Sequence, residues 1–253
     1  KGRATTRPGT LLKHHVPIRT FADWNDAEPG FLEIDLVAHD GGVPAPEVIH
    51  SLNITDIATG WTETRALKTK ARRWVLEALQ NITTELPFPV KGIDSDNGGE
   101  FINEELVAYC REGRITFTRS RPWRKNDSCF VEQKNYSIVR KAVGYARYDT
   151  EKELSLLAEL YRALGLFSNF FVPVMKLKTK TRTGATVSKT YDTPTSPLLR
   201  VLEHPATTPK TRHRLLRMKR TLNPAQLRRT ISDIQNQLEA STNAKPRPRP
   251  GMR

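Results

Sequence analysis

The sequence predicts an α/β protein with a mixed five-stranded sheet, helices on both faces, and a basic tail. Two observations favour this fold class. Three β-rich runs follow one another near the start of the chain, and strand-like and helical segments then alternate. Consecutive strands joined by short turns pair antiparallel, whereas strands separated by helices commonly pair in parallel. The expected order of elements is therefore β-β-β-α-β-α-β.

The first three strands are expected at residues 31–37, 48–57 and 61–67. These runs are rich in β-branched and aromatic residues, and glycine-containing breaks separate them. A helix follows, because apolar residues recur at helical spacing until Pro87 ends the pattern. The apolar positions of this helix are Ala71, Trp74, Val75, Ala78, Leu79 and Ile82.

The later elements are predicted in the same way. Short strands are expected at residues 90–93 and 115–118, with a helix between them that Asn103 caps. Helical spacing of apolar residues also predicts helices over 127–143 and 150–171. A late amphipathic helix should begin at Asn223-Pro224, since proline is favoured in the first turn of a helix.

Charge is distributed unevenly along the chain. The 253 residues include 41 Lys and Arg against 27 Asp and Glu, which gives a net charge of +14. Residues 201–253 contain twelve basic and three acidic side chains, and residues 113–147 contain nine and two. The electrostatic field of this excess positive charge favours a polyanionic partner. No run approaches the roughly 18 apolar residues that a membrane-spanning helix needs, so no membrane partner is predicted.

Three acids are candidates for a catalytic site. Asp35 lies within an apolar strand, where a carboxylate is costly unless it is paired or binds a metal. Asp96 follows a short strand, and Glu132 comes after 35 intervening residues on a predicted helix. Each has an ordinary alternative explanation: Asp96 as a turn residue, Glu132 as a surface acid. The combination of three acids at these positions is less easily explained by turn and surface roles than each acid alone.

The chain resembles the integrase catalytic core that retroviral integrases share with many bacterial insertion-sequence transposases. The resemblance covers about residues 29–200. It rests on Glu33-Ile34-Asp35-Leu36, the turn at 56–61, the segment 92–101, and residues 115–122. The stretch from Lys125-Asn126-Asp127 to residues 131–135 is similar to one bacterial transposase subgroup in particular.

This resemblance implies a ribonuclease H-like fold and a DNA strand transferase with the catalytic triad Asp35, Asp96 and Glu132. The three carboxylates would hold two Mg²⁺ ions, with Mn²⁺ able to substitute, and cleave and then join DNA strands. The implied partners are the ends of a mobile element, target DNA, and further copies of the chain. The implied location is the bacterial cytoplasm, in association with the nucleoid.

The residue patterns and the resemblance together predict a domain organisation. Residues 1–28 are expected to be a lead-in, with an N-terminal helix-turn-helix domain outside this chain. The catalytic core would span 29–172, a small appended β/loop element 173–203, and a basic segment with one helix and a disordered end 204–253. The residues expected to contact DNA are Arg119, Arg121, Arg124, Lys125, Lys134, Asn135, Tyr136, Arg140 and Lys141.

Two alternative functions remain open at this point. One is a catalytically inactive remnant of a mobile element that still binds DNA through its basic residues. The other is a ribonuclease H-type nuclease that cuts the RNA strand of hybrids with the same metal chemistry, because a fold alone does not determine a function.

Overall fold

The central feature of the computed structural model is a five-stranded sheet in the order β3-β2-β1-β4-β5. The structure describes residues 12, 15–19, 27–43, 47–121 and 129–245. The strands are β1 (Phe31–Ala38), β2 (His50–Asp56), β3 (Thr62–Leu67), β4 (Gly92–Ser95) and β5 (Thr116–Arg119). Strands β1, β2 and β3 form the antiparallel meander that the sequence predicts. Strands β4 and β5 extend the sheet in parallel with β1.

The helices on the first face of the sheet follow the sequence prediction closely. Helix α1 (Arg72–Glu85) buries Val75, Leu79 and Ile82 at the predicted spacing. Helix α2 (Glu104–Glu112) begins after Asn103, whose side chain accepts a hydrogen bond from the Leu106 amide. Both helices pack against one face of the sheet, where every second side chain of β1 and β2 and Ile93 of β4 point. The side chains of the helices and of this face form the larger hydrophobic core.

The second face is covered by a segmented helix and two long helices. The segmented helix consists of α3 (Cys129–Lys134), the π-helix π1 (Asn135–Arg140) and α4 (Lys141–Val143). Helix α5 (Glu151–Phe171) begins with a capping box formed by Thr150 and Glu153. Its residues Leu157, Leu160 and Tyr161 form a second core with the C-terminal helix. The described helices therefore lie on both faces, and with its strand order the sheet has the predicted ribonuclease H-like fold.

The segment after the core contains a hairpin and three further helices. The hairpin is β6 (Leu177–Thr183) with β7 (Thr186–Tyr191), and α6 (Pro197–Glu203) follows it. Helices α7 (Pro209–Thr221) and α8 (Pro224–Asn243) come next. The prediction of one helix in 204–253 is therefore wrong. Helix α7 is strongly basic and buries only Leu215, so it lacks the regular apolar stripe from which α8 was predicted.

Part of the expected lead-in packs against the sheet. Residues 16–19 lie beside β5: the Arg119 amide donates to the Pro17 carbonyl, and the Arg19 amide donates to the Arg119 carbonyl, each at 3.0 Å. Val16 is buried in the larger core. Structure therefore begins earlier than the predicted start near Pro29. None of the helices in the described ranges combines the length and apolar composition needed to cross a bilayer.

Candidate active site

The pairing of β1 with β4 brings Asp35 and Asp96 together. The two strands are parallel, and Ile34 is the register partner of Ser95. Extending this register by one residue places Asp96, directly after β4, level with Asp35 in the middle of β1. Adjacent strands lie about 4.8 Å apart, so the two carboxylates share one region of the sheet.

The electrostatics of Asp35 show that Glu132 belongs to the same region. The pKa of the Asp35 carboxyl is raised from 3.8 to about 6. Burial is the largest cause, and the negative charges of Asp96 and Glu132 make smaller contributions in the same direction. Hydrogen bonds from the Leu36 amide (2.8 Å) and from Asn135 Nδ2 (2.6 Å) act in the opposite direction. The structure thus brings Asp96 and Glu132 within electrostatic range of Asp35.

A chain of polar side chains orients Asp35. Thr64 Oγ1 donates to Asn53 Oδ1 at 3.1 Å, and Asn53 Nδ2 donates to Asn135 Oδ1 at 2.9 Å. Asn135 Nδ2 then donates to Asp35 Oδ2. Asn53 and Thr64 are buried residues of the middle and edge strands of the meander. This network leaves Asn135 fixed against Asp35, a role that the sequence analysis did not assign to it.

The loop carrying Asp96 is built as a tight turn. Asp96 Oδ1 accepts a hydrogen bond of 2.8 Å from the Gly98 amide. A Cβ at Gly98 would lie 2.9 Å from that same oxygen and 2.7 Å from the Glu100 side chain, so only glycine fits without displacing them. Asn97 ties the turn to the neighbouring strand through Ser120 O (2.9 Å) and Arg119 (3.0 Å). The turn explanation for Asp-Asn-Gly is therefore correct, and the turn still presents Asp96 beside Asp35.

The acids fit a divalent cation in chemistry but are not arranged around one. Carboxylate oxygens are the ligands that Mg²⁺ prefers, and the raised pKa of Asp35 reflects burial first and then the charges of Asp96 and Glu132, which a cation would compensate. However, within the described part of the chain no three Asp, Glu, His or Cys side chains are grouped closely enough to hold a metal ion. Asp35 and Asp96 each direct an oxygen to a hydrogen bond within the protein instead. Coordination would require these side chains to reorient.

Six of the nine predicted DNA-contacting residues fall into three groups. Arg124 and Lys125 lie outside the described residues. Arg119 is used within the protein, since its guanidinium donates to Val16 O (3.0 Å) and to Asn97 Oδ1 (3.0 Å). Arg121 and Lys141 are exposed, and Tyr136 is 59% exposed.

The π-helix changes the predicted face of the helix that carries Glu132. Regular α-helical spacing predicts Asn135, Tyr136 and Arg140 on the Glu132 face. In the structure Asn135 contacts Asp35, whereas Arg140 donates to the Ala38 carbonyl at 3.0 Å and stacks on the Tyr145 ring at 4.7 Å. Lys134 is half-buried, and burial lowers its pKa. A π-turn has a different residue repeat, which the apolar pattern of the sequence did not indicate.

Glu33 is a functional candidate that the sequence analysis missed. Its side chain is fully buried on the same face as Asp35, and Oε2 accepts hydrogen bonds from the Phe130 (2.9 Å) and Val131 (3.0 Å) amides. Burial raises the Glu33 pKa to about 7, with partial opposition from the Val131 amide and Arg19. The only sequence signal was a second acid within an apolar strand.

Comparisons with known proteins give relatives of partial coverage. No family model matches the chain. It is 44% identical over 191 residues to the uncharacterized protein y4rM of Sinorhizobium fredii (strain NBRC 101917 / NGR234), covering 76% of this chain and 55% of that protein. It is 32% identical over 97 residues to the Pro-Pol polyprotein of feline foamy virus, covering 38% of this chain and 8% of the polyprotein. The chain thus spans about half the length of the first relative and a small part of the second.

Two solved structures are similar at low sequence identity. One is the cryo-EM structure of the simian T-cell lymphotropic virus intasome in complex with the PP2A regulatory subunit B56 gamma. The match to it has a TM-score of 0.49 and 16% identity, and covers 72% of this chain and 58% of that chain. The other is the catalytic core domain of BIV integrase, with a TM-score of 0.43 and 14% identity, covering 55% of this chain and 83% of that chain.

Proposed function

We propose that this chain is the catalytic core of a DNA strand transferase of the integrase and transposase class, from a bacterial insertion sequence. One observation carries the proposal: the charges of Asp96, directly after the strand parallel to β1, and of Glu132 both act on the buried carboxyl of Asp35. The resemblance of the flanking motifs and the 44% identity to a bacterial protein support the bacterial subgroup.

Asp35, Asp96 and Glu132 are the residues that would hold two Mg²⁺ ions, for which Mn²⁺ could substitute. Bound there, the ions would activate the attacking oxygen and stabilise the leaving oxygen of a phosphodiester. The protein's own contribution is to keep Asp35 partly buried and oriented by Asn135, and to leave Glu132 and Asp96 exposed toward the substrate. Asn135 therefore acts as an orienting group for Asp35.

DNA would be held by basic surfaces on both sides of this site. Arg121, Lys134 and Lys141 come from the loop and helix around Glu132. The β6–β7 hairpin supplies a second surface, because residues 177–191 contain four basic side chains and no acid. Every hairpin side chain that the structure describes is exposed. Such a surface gains affinity for DNA through release of counterions from the phosphates. We expect at least two protomers to assemble on paired DNA ends.

Metal-dependent cleavage and joining of labelled double-stranded DNA tests the proposal. The purified protein is compared with Asp35→Asn and Glu132→Gln variants in Mg²⁺ or Mn²⁺, and the exposed Glu159→Gln variant controls for loss of one negative charge. We expect products that require metal, disappear in both site variants, and persist in the Glu159 variant.

Other outcomes would contradict this function in distinct ways. Salt-sensitive DNA binding without any cleavage would favour the inactive DNA-binding remnant. Cutting confined to the RNA strand of hybrids would favour the ribonuclease H-type nuclease. Cleavage that survives both Asp35→Asn and Glu132→Gln would show that these carboxylates are not the catalytic groups.

A further inference from the structure

Glu33 connects the strand that carries Asp35 to the helix that carries Glu132. It lies two residues before Asp35 on β1, and the period of two in a strand puts both side chains on the same face. Its Oε2 accepts hydrogen bonds from the Phe130 and Val131 amides, which lie in the first turn of α3. Val131 immediately precedes Glu132, so the Glu33 carboxylate holds the backbone from which the third acid projects.

Arg19 holds the other oxygen of this carboxylate. Its NH1 lies 2.9 Å from Glu33 Oε1 and 3.7 Å from Asp94 Oδ2. Glu33 and Asp94 are register partners on neighbouring strands, and both are buried. Thr118 Oγ1 donates to the other Asp94 oxygen at 2.6 Å. The Arg19 guanidinium therefore places a positive charge between two buried acids that would otherwise repel each other.

Arg19 reaches this position because residues 16–19 pack along the edge of the sheet. Ile18 forms a parallel bridge with Arg119, and backbone hydrogen bonds join this segment to β5 on either side of the bridge. Arg119 Nε also donates to the Val16 carbonyl, and Val16 is buried in the core. The segment before the sheet is thus physically linked, through Arg19 and Glu33, to the start of α3.

We propose that Arg19 and Glu33 are positioning residues that hold α3, and with it Glu132, against the strands carrying Asp35 and Asp96. Loss of Arg19 removes the hydrogen-bonded ion pair that anchors Glu33 Oε1 on the side away from α3, which favours conformations in which Glu33 no longer faces α3. Docking of residues 16–19 on β5 would then control whether the three acids are assembled. The catalytic consequence rests on the proposed function, whereas the structural linkage does not.

Amide hydrogen exchange of the ¹⁵N-labelled full chain, followed residue by residue by NMR, tests the linkage directly. In Arg19→Ala, exchange at the Phe130 and Val131 amides should accelerate about 10- to 100-fold, as expected when a charged hydrogen-bond acceptor is lost from a buried donor. Amides of Leu52 and Ile54 in the sheet interior should remain unchanged. Arg19→Lys, which retains a cation, should restore much of the protection. If Arg19→Ala does not fold, Arg19→Met removes the charge while it keeps the packing of the stem.

Arg200→Ala is a matched control, because it removes an arginine of similar exposure that is also ion-paired, to Asp192 at 2.7 Å, at the base of the hairpin. It should leave the Phe130 and Val131 amides unchanged. Unchanged exchange in Arg19→Ala, or equal acceleration in Arg200→Ala, would overturn the positioning role.

A second readout separates this proposal from the proposed function. If the chain joins DNA, Arg19→Ala should lower turnover at saturating DNA by about 10-fold or more and leave KM for DNA nearly unchanged, since the arrangement of the acids is altered but the DNA surface is not. Accelerated exchange in a chain that never cleaves DNA would support the linkage and reject the function. Normal turnover together with normal exchange would reject the linkage alone.

Discussion

Replacing Asp35 by Asn should stabilise the metal-free protein at neutral and alkaline pH, although it should abolish catalysis. Asp35 is ionised at pH 8 while largely removed from water and close to two other acids, which is why its pKa is raised from 3.8 to about 6. An amide of nearly the same shape carries no charge to desolvate or repel. The site is therefore expected to trade stability for function when no cation is bound.

The size of the effect follows from the pKa. A shift from 3.8 to about 6 corresponds to about 3 kcal/mol at a pH above both values. The variant has only one acceptor oxygen, whereas Asp35 accepts from both Leu36 and Asn135, so one hydrogen bond of about 1 kcal/mol is lost. The expected net gain is about 2 kcal/mol, or a Tm rise of roughly 4–8 °C for a chain of this size.

The pH dependence has a defined sign. The folded protein binds a proton at Asp35 more tightly than the unfolded chain does, so the penalty is complete above about pH 6. It is relieved as the pH falls from about 6 toward 3.8. The difference in Tm between the variant and the wild type should therefore be large at pH 8 and disappear, or reverse by the lost hydrogen bond, near pH 4.

Thermal unfolding in EDTA at pH 8 and pH 4 measures this difference, and the exposed Asp233→Asn variant serves as the control for removal of one aspartate charge. Asp233→Asn should change the free energy of unfolding by less than about 0.5 kcal/mol at either pH. Added Mg²⁺ should raise the Tm of the wild type and have less effect on Asp35→Asn. An Asp35→Asn protein that is less stable than the wild type at pH 8, or equally stabilised at pH 4, would refute this reasoning.

Three further predictions address the network, the core and the basic hairpin. Asn135→Ala should lower the free energy of unfolding by about 1–3 kcal/mol in urea titrations, because it removes the hydrogen bonds made by both the oxygen and the nitrogen of the side-chain amide. An unchanged free energy of unfolding would contradict the network. Leu157→Ala should cost about 2–5 kcal/mol in the same assay, since this fully buried side chain joins the second face of the sheet to the C-terminal helix; a cost below 1 kcal/mol would show that α8 packs differently. Combined replacement of Lys178, Arg182 and Lys189 by Gln should reduce the slope of log affinity for DNA against log salt by about 3; an unchanged slope would exclude the hairpin as a phosphate-binding surface.

The elements that the sequence predicted well are those with local signals. As expected, Asn103 caps the helix that follows it and the last helix begins after Asn223, because capping residues and first-turn prolines act within a few residues of the helix start. The meander was equally predictable, since its strands are joined by short turns. The strand before Asp96 was placed two residues early, at 90–93 rather than Gly92–Ser95, because element boundaries depend on pairing with other strands.

Most of the features that sequence reasoning missed depend on partners distant along the chain. Residues 16–19 show no periodicity of their own, and their contact with β5 lies a hundred residues away. The role of Glu33 could not be inferred from the sequence of its own strand, because the hydrogen-bond donors to its buried carboxylate come from α3. Helix α7 buries too few residues to show an apolar stripe.

The distribution of polar residues on the sheet supplies the reason for these long-range features. A sheet face packed against helices is stabilised most simply by apolar side chains, and the centre of the first face follows that rule with Leu32, Ile34 and Leu52. The second face instead buries Glu33, Asn53 and Asp94 around the position of Asp35. A buried polar group is costly unless each donor and acceptor finds a partner, so each of these residues requires a specific partner from another element. Burying several polar and charged groups around Asp35 thus requires hydrogen bonds and ion pairs from other elements. The same contacts fix the positions of these elements relative to Asp35.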